Sequence, residues 1–96
     1  MEDKTILSKD EVLNEMPNNW LYQDNKLERE FQFLEFSKLI DFLKTCIKIM
    51  DETNHHSDLN LDTKNKIIKL SVTTHSENAI TKADLDFAKT INDVKE

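Results

Sequence analysis

Leu59-Asn60-Leu61-Asp62-Thr63-Lys64-Asn65-Lys66-Ile67-Ile68-Lys69-Leu70-Ser71-Val72 decides the fold. Leu59 and Leu61 alternate with Asn60 and Asp62, and Ile68, Leu70 and Val72 alternate with Lys69 and Ser71. A period of two belongs to strands that bury one face. The polar run Asp62-Thr63-Lys64-Asn65 between them reads as a turn, so the stretch predicts an antiparallel hairpin. With the turn centred between Lys64 and Asn65, facing residues have numbers summing to about 129, which sets His55 roughly opposite Thr74.

Upstream the period lengthens. Phe36, Leu39, Ile40, Leu43, Ile47 and Met50 recur at helical spacing, with Lys38, Asp41, Lys44 and Lys48 opposite, and predict one amphipathic helix over Phe36–Thr53. Phe42, Cys46 and Ile49 widen its apolar face beyond a single stripe, which predicts a contact with a second subunit. From Trp20 to Phe33 the period is two again: Leu27, Arg29, Phe31 and Phe33 alternate with Glu28, Glu30 and Gln32, and Asp24-Asn25 supplies the turn. Ser8-Lys9-Asp10-Glu11 is a capping box opening a short helix over 9–16, which Pro17-Asn18-Asn19 ends. Downstream, Thr81 and Asp84 stand in capping-box spacing before a helix with Phe87, Ala88, Ile91 and Val94 on one face. The order α-β-β-α-β-β-α predicts a two-layer α+β fold, a four-stranded antiparallel sheet made of two hairpins with helices packed on one face. One domain is expected to cover residues 1–96.

Composition narrows the function. The 96 residues carry a net charge of −6, which disfavours a sequence-independent grip on nucleic acid or an anionic membrane. With no glycine, phosphate-cradling loops and dinucleotide fingerprints are excluded. The single cysteine, Cys46, excludes an internal disulfide and multi-cysteine zinc motifs, and its place on an apolar helical face predicts a buried, inert thiol. Met1-Glu2-Asp3-Lys4 has no apolar run after it, and Phe42–Met50 is interrupted by lysines, so a soluble cytoplasmic protein is expected.

All three histidines fall between residues 55 and 75: the pair His55-His56 just after the long helix, and His75 at the end of the last strand. The predicted hairpin brings both groups to one end of the sheet. Imidazoles gathered there can donate and accept protons near neutrality, with Asp51, Asp58 and Asp84 near enough to orient them. Two other readings stay open. A His-His pair in an Asn/Ser/Asp loop is commonly solvated surface, and three histidines with carboxylates can hold zinc, although adjacent histidines point apart. No metal is assigned.

Asn54-His55-His56-Ser57-Asp58, Thr73-Thr74-His75 and Ile80-Thr81-Lys82-Ala83-Asp84-Leu85-Asp86-Phe87-Ala88 together resemble the pterin-4a-carbinolamine dehydratases. Trp20, the run Phe31 to Phe36 and the long helix extend the resemblance over nearly the whole chain. It implies a cofactor-free lyase that removes water from 4a-hydroxytetrahydropterin to give quinonoid dihydropterin, restoring the pterin used by aromatic amino acid hydroxylases. It also implies a homodimer or homotetramer built by sheet continuation and helix packing. On this resemblance His55 and His75 transfer protons and His56 orients the pterin. Asp51 supports a histidine, and Ser57, Asp58, Thr74, Ser76 and Glu77 border the substrate. The alternative it implies is a non-catalytic dimerisation cofactor or assembly chaperone acting through the long helix. Ser57 stands where the family usually has proline, Leu59 where many members have a bulkier residue, and Ala79 where glycine is usual; if that last position needs positive φ, alanine is strained there.

Overall fold

A computed structural model describes residues 3–95; Met1 and Glu2 of the acidic start, and Glu96, lie outside the described residues. Along the chain come α1 (Lys9–Glu15), β1 (Leu21–Gln23), β2 (Lys26–Gln32), α2 (Phe36–Thr53), β3 (Asp58–Asp62), β4 (Ile67–Val72), a 3-10 turn at His75–Glu77, and α3 (Lys82–Lys95). The expected α+β order is the observed one. Strands β3 and β4 pair with Asp58 opposite Ser71 and Asp62 opposite Ile67, numbers that sum to 129 as the turn dictates. The hairpins join through β2 and β4, giving one antiparallel sheet in the order β1-β2-β4-β3.

Register explains the layers. Leu27 faces Val72, Arg29 faces Leu70 and Phe31 faces Ile68, so one sheet face is apolar and the other carries Glu28, Glu30 and Lys69. Leu27, Phe31, Ile68, Leu70 and Val72 are buried against Leu39, Phe42, Cys46 and Ile49 of α2 and Leu85, Phe87, Ala88 and Ile91 of α3. Each fully buried aliphatic or aromatic side chain contributes about 1.5–3 kcal/mol. Arg29 fits this apolar face because its guanidinium lies 4.4 Å from the centre of the Phe31 ring. It also donates to Asn92 Oδ1, which accepts from Trp20 Nε1 at 2.8 Å as well.

The buried stripe of α2 corrects one expectation. Phe42, Cys46 and Ile49, read as surplus for a partner, are core residues alongside Leu39. Ile40, Leu43 and Met50 are half-buried, while Phe36 and Ile47 are 45% and 55% exposed, so these residues form the outward apolar margin. Burial pushes the Cys46 thiol up to about 12.

Asparagine does the work of glycine. Positive φ occurs at Asn19, Asp24, Asn25, Asn54, Lys66 and Asn78. Asp24-Asn25 with φ of 51° and 60° makes the two-residue β1–β2 turn of the type whose twist suits a hairpin. The condition that would strain Ala79 is not met: the left-handed position is Asn78, one residue earlier, at φ 50°. Ser8 and Glu11 form the expected capping box of α1.

Candidate active site

The site begins where α2 stops. Asn54 takes a left-handed conformation (φ 56°, ψ 26°) that ends the helix. The next residue, His55, is only 6% exposed. Its backbone N–H donates to Thr53 Oγ1 at 3.3 Å, and its ring lies 5.8 Å from that of Phe87. The Nε2 nitrogen stands 2.6 Å from Asp84 Oδ1. A carboxylate only accepts, so Nε2 carries a proton toward it.

Asp84 is fully buried, in the first turn of α3. Its second oxygen, Oδ2, accepts from the Thr74 hydroxyl at 2.8 Å and from the Thr81 backbone N–H at 2.8 Å. The Thr74 and Thr81 hydroxyls stand 2.8 Å apart. A buried carboxylate is tolerable only when donors replace its lost water, and here the helix N-terminus adds a favourable field. The Thr81–Asp84 spacing is thus half a capping box: the acid reaches back to the Thr81 amide, and the Thr81 hydroxyl turns to Thr74 instead.

The β3–β4 ladder starts at Asp58–Ser71, so His55 and Thr74 meet through Asp84 rather than as a strand pair. Each anchored residue is followed by an exposed histidine: His56 after His55, and His75 after Thr74. Ser76, Glu77, Asp51 and Asp58 are also exposed, and Ser57 is half-buried with its hydroxyl 3.8 Å from Met50 Sδ. Among the three acids expected near the rings, Asp84 is the one hydrogen-bonded to His55. His55 lines a cavity of about 230 Å³ with Asp3, Glu52, Thr53, Ala83, Asp86, Phe87 and Thr90; His56 and His75 do not line it. Among the described residues, no three His, Cys, Asp or Glu side chains are grouped so as to hold a metal ion. A residue that spacing undervalued is Thr81, whose amide and hydroxyl complete the network; the Thr81-Asp84 interval was its signal.

This layered α+β architecture, the frame that holds the His55–Asp84–Thr74 network here, has solved counterparts. A transcriptional coactivator/pterin dehydratase from Brucella melitensis matches 96% of this chain and all of its own at a TM-score of 0.84 and 23% identity, a likeness of fold. A pterin dehydratase-like protein identified as a RuBisCO assembly factor in the alpha-carboxysome matches 78% of this chain and 84% of its own at a TM-score of 0.64 and 17% identity. Residues 5–94 match the family model for pterin 4 alpha carbinolamine dehydratase. A protein of Sulfolobus acidocaldarius, named provisionally as a pterin-4-alpha-carbinolamine dehydratase, is 37% identical over 76 residues, covering 79% of this chain and 81% of its own. The chain belongs to the pterin 4 alpha carbinolamine dehydratase family. No helix among the described residues is long and apolar enough to cross a membrane.

Proposed function

We propose that this protein is a cytoplasmic dehydratase that removes water from a 4a-hydroxytetrahydropterin by histidine acid–base catalysis, in the service of tetrahydrobiopterin recycling. The observation that carries the reading is the Asp84 network, which fastens the two histidine-bearing segments to each other inside a chain of this family. The chemistry asks for little. A proton reaches the departing 4a-oxygen, the C4a–O bond breaks, the N5 proton leaves, and a double bond forms between N5 and C4a. An acid and a base beside a flat ring suffice, and groups so placed contribute about 10²–10⁴-fold each.

The exposure pattern refines the roles implied by resemblance. His56 and His75, both exposed, are the rings that meet the pterin, with His75 exchanging protons. His55, buried on Asp84, holds the segment and completes the acid–base set. Thr74 fixes the approach of His75; Asp51, Ser57, Asp58, Ser76 and Glu77 border the ligand. The working form is a homodimer or homotetramer, for which the exposed Phe36 and Ile47 of α2 are the motivating surface.

The test is breakdown of synthetic 4a-carbinolamine by purified protein. His75→Ala is expected to lower the enzymatic rate by about 100-fold or more while the circular dichroism spectrum is retained. Lack of acceleration by the wild-type protein between pH 6 and about 9 rejects the reading. A second reading, an assembly or dimerisation module, is favoured by the same apolar margin of α2. It predicts that Ile47→Glu abolishes partner capture while pterin turnover was never present.

A further inference from the structure

The cavity beside His55 has a wall that is not part of the helix–sheet core. Residues 3–7 run along the start of α3, held by main-chain bonds: Ala83 N to Asp3 O at 2.7 Å, Lys82 N to Thr5 O at 3.0 Å, and Leu7 N to Ile80 O at 3.1 Å. Two of these satisfy amides in the first turn of α3, the turn that carries Asp84. The side chains of Asp3, Lys4, Thr5 and Ile6 are exposed, and Leu7 is the half-buried one that packs on the core. Asp3 is braced locally, its Oδ1 accepting from the Thr5 N–H at 3.0 Å and the Thr5 hydroxyl at 2.6 Å, and it lines the same cavity as His55.

We propose that residues 3–7 are a detachable strap that opens and closes the cavity beside His55. Little apolar area holds the strap, so it peels away without unfolding the sheet, whereas α2, β4 and α3 share a common core. Closed, it places Asp3 across the cavity and caps α3. Open, it exposes His55 and frees the first-turn amides of Lys82 and Ala83.

Two measurements on the full chain test this, neither involving pterin, so they stand or fall apart from the dehydratase reading. In native-state amide exchange, Leu7, Lys82 and Ala83 are expected to exchange together, about 100-fold or more faster than Ile68 and Leu70. Exchange of those amides at the rate of the β4 amides overturns the proposal. In carbethoxylation by diethyl pyrocarbonate, Leu7→Pro, which deletes the donor to Ile80, is expected to raise the rate at His55 about tenfold, the shift that follows loss of one hydrogen bond. The exposed His56 and His75 serve as unchanged references. Unchanged His55 reactivity in a folded Leu7→Pro whose strap amides have lost protection also overturns it. Should Leu7→Pro not fold, Asp3→Ala, which removes both braces to Thr5, is read by the same criteria.

Discussion

Replacing Asp84 by asparagine changes one atom of a fully buried carboxylate and inverts part of the network around it. Oδ2 serves both Thr74 and the Thr81 amide, so the single amide oxygen of Asn is expected to take that position. Its NH₂ then faces His55 Nε2, which in the wild type points its own N–H at Oδ1 from 2.6 Å. Two donors cannot share that line. For the contact to survive, His55 Nε2 must give up its proton and accept, so Asp84→Asn is expected to change the protonation of a ring it does not covalently touch. Hydrogen bonds to a charged group are worth about 1.5–3 kcal/mol and neutral ones about 0.5–1.5, so three conversions remove about 3–4 kcal/mol. Relief from burying a charge returns part of this, leaving a net loss of about 2 kcal/mol. That is survivable for a domain of typical stability, about 5–15 kcal/mol, whereas Asp84→Ala strands the same donors at a cost of about 3–9 kcal/mol. Urea unfolding gives the stability, and imidazole ¹⁵N shifts give the protonation of the ring. A variant that loses less than about 0.5 kcal/mol and keeps Nε2 protonated on His55 refutes the account of Asp84 as the carboxylate holding that ring.

Other outcomes follow from the same structure. Cys46, with its thiol raised to about 12 from an ordinary 9.0, is expected to react with Ellman's reagent at pH 8 only through opening of the protein. The sign is that of an acid weakened by folding: this contribution to stability is complete below pH 9.0 and is lost as pH climbs from there towards about 12, which alkaline unfolding curves of Cys46→Ala against wild type would reveal. Asn92→Ala orphans the indole N–H of Trp20, a residue 2% exposed, and is expected to cost about 1–3 kcal/mol, read from the fluorescence of the sole tryptophan during urea unfolding. Lys66→Gly removes a side chain from a left-handed position (φ 57°) at the β3–β4 turn and is expected to stabilise the fold by about 0.5–1 kcal/mol, provided the Phe33 N–H to Lys66 O bond is kept.

Local periodicity carried the elements because each obeys its own repeat. The α2 boundaries Phe36 and Thr53 follow from helical spacing, and the β3–β4 register follows from the centre of one polar turn. What remained hidden was non-local. Nothing in either hairpin says that β2 lies beside β4 rather than β3, because that adjacency depends on how the two apolar faces merge under the helices. The face of α2 was ambiguous for the same reason: Leu39, Phe42, Cys46 and Ile49 interleave with Ile40, Leu43 and Ile47, and only the sheet's position decides which set is covered. At the site, a neighbourhood of Asn, Ser and Asp marks His55 as solvated, yet α3 arrives from 29 residues away to bury it on Asp84. The Thr81–Asp84 spacing was legible, and its second use as a clamp on His55 and Thr74 was not.

The reliance on asparagine at left-handed turns has a consequence for how the protein ages. Spontaneous loss of ammonia from an asparagine side chain begins when the next backbone nitrogen attacks it, a reaction fastest when glycine follows. Here Asn25 precedes Lys26, Asn54 precedes His55 and Asn78 precedes Ala79, so each bend carries a following side chain that hinders ring closure. Because the chain has no glycine, none of these asparagines is followed by one, and the turns avoid the sequence context in which they would isomerise soonest during storage or heating.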